Sequence, residues 1–247
     1  MLDPARQQSL ARRLVAEGLG TSFLLIAVVG SGIMADRLFS GNTGLALLAN
    51  SIATGAALVA LIVTFGPISG AHINPAVTLA VASQKGLSWR DAGAYVGAQI
   101  AGAVVGVAVA NAMFGEPVFA ASVTVREGGG QLLGEFIATF GLLAVIWSAT
   151  RRRPEAVAMV VGCYITGAYW FTSSTSFANP AVTVARALTN TFTGIRPSDV
   201  PGFLVAQLLG AAAATILLAW LVPALPERAP SVVVPRDVEE NHSEEST

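Results

Sequence analysis

The chain has 247 residues, of which 53% are hydrophobic and 12% charged, with a formal net charge of −1. Soluble domains carry about 25% charged residues. The deficit extends over most of this chain, so an ordinary water-soluble protein is excluded and lipid is the expected solvent. Two His and one Cys leave no nucleophile–base pair and no metal-ligating cluster in view. Neither an enzyme, nor a cofactor, nor a metal site is expected.

A helical span takes roughly 20 mostly apolar residues, and six spans are predicted. Residues 1–10 form a short N-terminal cytoplasmic segment. The first span, Ala11–Met34, contains Glu17. It is too long for a signal-peptide core and lacks a clear cleavage site, so it is read as a retained helix. The second, Gly44–Phe65, contains Thr54. Next comes the string Ala71-His-Ile-Asn-Pro-Ala-Val-Thr78, followed by an apolar stretch, Ala76–Ser83, too short to cross. The third span, Asp91–Phe114, carries Gln99 and a Gly102-Ala-Val-Val-Gly106 pattern suited to close helix packing, inside one subunit or at a subunit–subunit contact. The fourth, Gln131–Ala149, carries Glu135 and runs into Arg151-Arg-Arg-Pro154. The fifth, Pro154–Phe171, holds Cys163, expected as a small packing residue that forms no intrachain disulfide. A second short string, Phe177-Ala-Asn-Pro-Ala-Val-Thr183, opens another half-length segment, Ala181–Ala187. The sixth span, Val200–Val222, carries Gln207. A membrane domain over 11–225 is thus followed by an acidic, Pro- and Ser-containing tail, 226–247, which cannot bury a core and is expected to be disordered; its His242 has no evident role.

Six spans put both termini on one side. If that side is the cytoplasm, the inner set is Arg6, Arg12, Arg13, Lys85, Arg90, Arg151, Arg152, Arg153, Arg228 and Arg236. The outer set is Arg37, Arg126, Arg186 and Arg196. The distribution obeys the positive-inside rule. Trp89, Trp147, Trp170 and Trp220 all fall near span ends, where indoles suit the interface.

The two halves repeat. Ala16-Glu-Gly-Leu-Gly-Thr21 is echoed by Gly134-Glu-Phe-Ile-Ala-Thr139, and Ala98-Gln-Ile-Ala-Gly102 by Ala206-Gln-Leu-Leu-Gly210. With three spans per half, about 11–114 and 131–222, the second copy is inverted in the membrane. Such repeats place the functional site at the midplane, where broken helices meet. Asn is a favoured N-cap, and Pro at the first helical position loses no needed hydrogen bond. Asn74-Pro75-Ala76 and Asn179-Pro180-Ala181 therefore read as starts of two half-helices entering from opposite faces. Irregular backbone at membrane depth is tolerated only inside protein or along a wet cavity, so the pair implies a pore.

The doubled Asn-Pro-Ala, the Ser69–Thr78 string and the paired Glu and Gln resemble the aquaporin, or major intrinsic protein, family over about residues 10–222. The resemblance implies an all-α membrane fold of six spans plus two re-entrant half-helices, and a homotetramer with one pore per subunit. It further implies that the half-helices meet N-terminus to N-terminus, where their partial positive charge and the amides of Asn74 and Asn179 orient a passing water or hydroxyl and break a proton wire. Ionisable groups inside lipid are functional by default. Glu17 and Glu135 are expected to brace the loops, with Gln99 and Gln207 in related work, and His72 to line the inner vestibule. An ion-coupled transporter also uses inverted repeats, but its carboxylates would be these two, which match the bracing positions.

The family commonly has an Arg directly after the second Asn-Pro-Ala; here the residue is Val182. Counting from the motifs places the remaining filter positions on Thr54, Gly167 and Ser176. A ring of Thr, Gly, Ser and Val has no aromatic and no charge. It is expected to be wide and amphipathic, passing small neutral solutes such as glycerol, urea or arsenous acid, with some water; a mainly water-conducting pore is the alternative. Arg186 lies one turn after Val182 on the same helix face. Two readings stand for it: a positive charge at the outer mouth, or an anchor bonded to a loop carbonyl or acid.

Overall fold

The computed structural model describes residues 8–221. Residues 1–7, the last residue of the sixth predicted span (Val222), the tail 226–247 and His242 lie outside the described residues. Within them there are eight helices: α1 (Leu10–Leu38), α2 (Thr43–Ser69), α3 (Pro75–Ser83), α4 (Trp89–Met113), α5 (Gly129–Arg152), α6 (Val157–Phe171), α7 (Pro180–Arg186) and α8 (Val200–Leu221).

Helix α1 packs on α2 and α4, and α5 repeats that arrangement with α6 and α8; contact between α2 and α6 joins the halves. Small residues make the closest approaches possible. A methyl group at Gly102 would overlap the Gly18 carbonyl, one at Gly106 the Ser22 carbonyl, and one at Gly210 the Phe136 carbonyl. Without a hydrophobic driving force between helices in lipid, such backbone proximity supplies the packing. The Gly102–Gly106 pattern is thus spent inside the subunit, against α1.

Five helices are long and apolar enough to cross a membrane: α1, α2, α4, α5 and the segment Pro197–Leu221 that includes α8. The predicted fifth span is shorter than expected. Pro154–Ala156 forms a 3₁₀ turn, leaving α6 with 15 residues, about 22 Å at 1.5 Å per residue. Pro154 accounts for the break: it lacks the N–H needed to continue α5 and opens a new element. Two other expectations change. Trp147 is not at an interface but fully buried, its Nε1 donating to Thr215 Oγ1 (3.3 Å) between α5 and α8, whereas Trp89, Trp170 and Trp220 are exposed. Cys163 is exposed on α6 rather than packed.

Candidate functional site

The two Asn-Pro-Ala loops are shaped by unusual backbone. Ala71, Ile73, Thr175, Ser176 and Ala178 all have positive φ, between 43° and 61°. A left-handed conformation is rare for residues with a Cβ and an outlier for a β-branched one such as Ile73, so something must hold it. That something is a carboxylate in each half. Glu17 accepts from the backbone N–H of His72 (2.9 Å) and Ile73 (2.7 Å), from Ser69 Oγ (2.6 Å) and from Gln99 Nε2 (2.7 Å). Glu135 accepts from the N–H of Phe177 (2.8 Å) and Ala178 (2.9 Å) and from Gln207 Nε2 (2.6 Å). Each Gln also donates to a hydroxyl of the preceding half-helix, Gln99 to Thr78 and Gln207 to Thr183. Both Glu and both Gln are fully buried. Charge-assisted bonds each contribute about 1.5–3 kcal/mol, enough to offset strained φ values costing about 1–3 kcal/mol each.

The half-helices start where predicted. Asn74 Oδ1 accepts from Ala76 N (2.9 Å), and Asn179 Oδ1 from Ala181 N (3.0 Å) and Val182 N (3.3 Å). The two loops then cross-link. Asn74 Nδ2 donates to the Ala178 carbonyl and Asn179 Nδ2 to the Ile73 carbonyl, each at 2.8 Å. An amide nitrogen has two hydrogens, so each Asn keeps a second one. Both residues line the central cavity.

That cavity has a volume of about 60 Å³. Sites for drug-sized ligands run to roughly 300–1,000 Å³, so only small molecules fit. Its walls are apolar side chains of α1, α2, α5 and α6, interrupted by polar groups of Thr54, His72, Asn74, Asn179, Tyr169, Ser176 and Arg186; Val182 also faces it. Among the described residues no acid lines it, because Glu17 and Glu135 turn to the loops. His72 Nδ1 lies 3.1 Å from Thr78 Oγ1, and its ring packs on Tyr95 (centroids 5.4 Å apart).

One expected filter residue is elsewhere. Gly167 is on the exposed face of α6 and does not line the cavity. The cavity face of α6 is Val157, Val161, Ile165 and Tyr169, spaced by four. Two residues along a helix turn about 200°, so Gly167 points away from the wall that Tyr169 occupies. Tyr169 OH lies 3.1 Å from Thr54 Oγ1, linking α6 to α2. Ser176 Oγ is buried and has no hydrogen-bond partner among the described residues.

Arg186 is both at the cavity and anchored. Its Nε donates to the Thr193 carbonyl, and its guanidinium lies 3.4 Å from the centroid of the Phe177 ring. Arg126, from the α4–α5 connection, approaches the same ring at 4.9 Å. Its Nε donates to the Gly194 carbonyl (2.8 Å) and its Nη1 to the Ser174 carbonyl (3.2 Å). Burial lowers the Arg126 guanidinium from its ordinary value, opposed by the charge of Glu135. Sequence reading assigned no role to Arg126, Phe177 or Tyr169. The four-residue period of the α6 apolar face could have found Tyr169; nothing in the local sequence marks Arg126.

A sequence model of the family described as Major intrinsic protein matches residues 4–166 and again 153–243. The chain belongs to the major intrinsic protein family. It is a membrane channel, not an enzyme, and its two halves carry the family's paired loops. Among relatives, the Aquaglyceroporin AqpS of Rhizobium meliloti (strain 1021) is 57% identical over 218 residues, covering 88% of this chain and 93% of that protein. Aquaporin NIP1-3 of Oryza sativa subsp. japonica is 34% identical over 200 residues, covering 78% of this chain and 69% of the rice protein. The X-ray structure of the aquaglyceroporin from Plasmodium falciparum superposes with a TM-score of 0.68 at 21% identity, covering 88% of this chain and 99% of that one. The major intrinsic protein fold is therefore shared even where the sequence has diverged.

Proposed function

We propose that this protein is a passive channel for small uncharged polar solutes, glycerol-sized polyols and neutral metalloid hydroxides such as arsenous acid above all, together with some water. The observation that carries the reading is a small cavity with no acid on its wall among the described residues, its apolar sides interrupted by hydroxyls. Thr54, Tyr169 and Ser176 offer O–H groups, while Val182 and the aliphatic side chains face them. A polyol has the matching character, hydroxyls along one edge and carbon along the other. A cation would leave its hydration shell with no acid on the wall, among the described residues, to replace it. The relative at 57% identity is named an aquaglyceroporin, which supports the same class of solute.

Tyr169 revises the expected ring from Thr, Gly, Ser and Val to Thr, Tyr, Ser and Val. The ring still lacks the charge of an Arg at 182 but is narrower than a Gly would leave it. Asn74 and Asn179, with the positive ends of α3 and α7, interrupt proton transfer at the centre. We further assign the chain to the inner (plasma) membrane, as a homotetramer with both termini cytoplasmic. The α7 mouth then faces outward and His72 lines the inner vestibule.

The test is stopped-flow swelling of proteoliposomes with water, glycerol, urea and arsenous acid, comparing wild type with Val182→Arg. Passage of the larger solutes, suppressed by Val182→Arg with water spared, is expected. Passage of water alone by the wild type supports the water-channel alternative instead.

A further inference from the structure

We propose that charge selection in this pore is separated from size selection: the cation barrier at the α7 mouth is Arg186, seated on Phe177 and reinforced by Arg126, one turn beyond the Thr54–Tyr169–Ser176–Val182 ring. The proposal rests on the channel reading above.

Three observations carry it. First, Arg186 follows Val182 by four residues and lines the same cavity. The charge absent at 182 is therefore present about 6 Å further along the half-helix. Second, that charge is not neutralised. Among the described residues, the ion pairs are Arg13–Asp91, Arg37–Glu116 and Arg196 with Glu127 and Asp199; neither Arg186 nor Arg126 is in one. The anchor of Arg186 is a carbonyl, and its two terminal nitrogens have no acceptor among the described residues. Third, the seat is rigid. Phe177 is pinned by its backbone N–H to Glu135 and by an edge-on contact with Phe203 (centroids 5.2 Å apart).

Two guanidiniums over one ring repel each other, so each needs its own restraint. Carbonyl oxygens of Ser174, Gly194 and Thr193 supply it without cancelling the charge, and the ring's negative face offsets part of the repulsion. The neighbouring acids are engaged elsewhere. Glu135 spends its oxygens on loop N–H groups and Gln207. Asp199 takes the backbone N–H of Arg126 and pairs with the guanidinium of Arg196. Neither carboxylate forms an ion pair with a guanidinium on the ring; Glu135 acts on them only through space. A hydrated cation or hydronium entering there meets repulsion focused by low-dielectric walls, while a neutral solute meets hydrogen-bonding groups without that penalty. Arg126 acts through Arg186 and Phe177, as a positioning residue. With charge handled outside it, the ring can stay free of an arginine and admit solutes larger than water.

The experiment uses proteoliposomes loaded with a pH-sensitive dye, a potassium gradient and valinomycin, with glycerol flux measured on the same vesicles. The readout is proton leak divided by glycerol flux. Arg186→Gln is expected to raise that ratio on the order of tenfold, the lower end of what field focusing supplies. Phe177→Leu and Arg126→Gln should raise it less, and Arg126→Lys should restore it. In the double variant Arg186→Gln, Val182→Arg, returning a charge to the ring should bring the ratio back down while glycerol flux falls. A simple structural anchor predicts otherwise: lost flux with an unchanged ratio, and no rescue by Val182→Arg. Either of those results overturns the proposal. If Arg186→Gln does not reach the bilayer, an unchanged ratio in Arg126→Gln overturns it as well. A wild type that passes no glycerol sinks the channel reading instead, a result distinguishable from the others.

Discussion

At the scale of single residues, the buried carboxylates decide the most. Glu17 and Glu135 each receive two backbone N–H groups from residues in or beside left-handed conformations. Replacing Glu135 by Gln turns one of the two accepting oxygens into a donor, so one backbone N–H loses its acceptor or an amide is set against Gln207. At about 1.5–3 kcal/mol per charge-assisted bond, a clear drop in detergent melting temperature is expected. An unchanged melting curve would show that the α7 loop holds its shape without the carboxylate. Tyr169 and Gly167 make a second comparison. Tyr169→Ala removes a cavity wall and should raise the flux of larger polyols such as ribitol. Gly167→Ala, on the exposed face, should leave every solute rate at the wild-type level. The reverse pattern would mean that Gly167, not Tyr169, faces the pore.

At the scale of elements, the short helices depend on their neighbours. Isolated helices of 9 or 7 residues are unstable by themselves. Here α3 and α7 are capped by Asn, started by Pro and tied to each other by the two Asn amides. Long-helix packing rests on a few glycines. Gly102→Val would drive side-chain atoms into the Gly18 carbonyl, and overpacking of this kind costs about 1–3 kcal/mol. A methyl group at Gly97 on the same helix would meet no neighbour within 4 Å, and Gly97→Ala should be neutral or mildly stabilising because Ala is the better helix former. Thermal melts of the two variants side by side check this; equal melting temperatures would contradict the packing account.

At the scale of the whole molecule, two inverted halves enclose one small cavity with no acid on its wall among the described residues. A coupled transporter would need an ion-binding site there. Glycerol flux is therefore expected to be linear with concentration over the millimolar range and indifferent to imposed sodium or proton gradients. Saturation together with gradient dependence, measured in the same proteoliposomes, would count against a passive pore.

Most of the spans, the doubled Asn-Pro-Ala and the recurrence of Glu17 as Glu135 and of Gln99 as Gln207 were legible in the sequence; that each Gln bonds its Glu came from the structure. Each is a local pattern, or a local pattern repeated, and lipid enforces it: a polar group at membrane depth needs a partner, so its presence in an apolar run already announces one. Helix register across the return from α6 to α7 was not legible in that way. Counting back from Asn179 to Gly167 assumed a fixed path, but the left-handed turns at Thr175, Ser176 and Ala178 set where α6 ends and which face it turns inward. The α6 period of four did hold the clue to Tyr169. The gathering of Arg126, Phe177 and Arg186 was beyond reach for a different reason. Arg126 lies far from the other two in the chain, and its partners are backbone carbonyls, which any sequence supplies. Only the tertiary structure brings those carbonyls and that ring to one place.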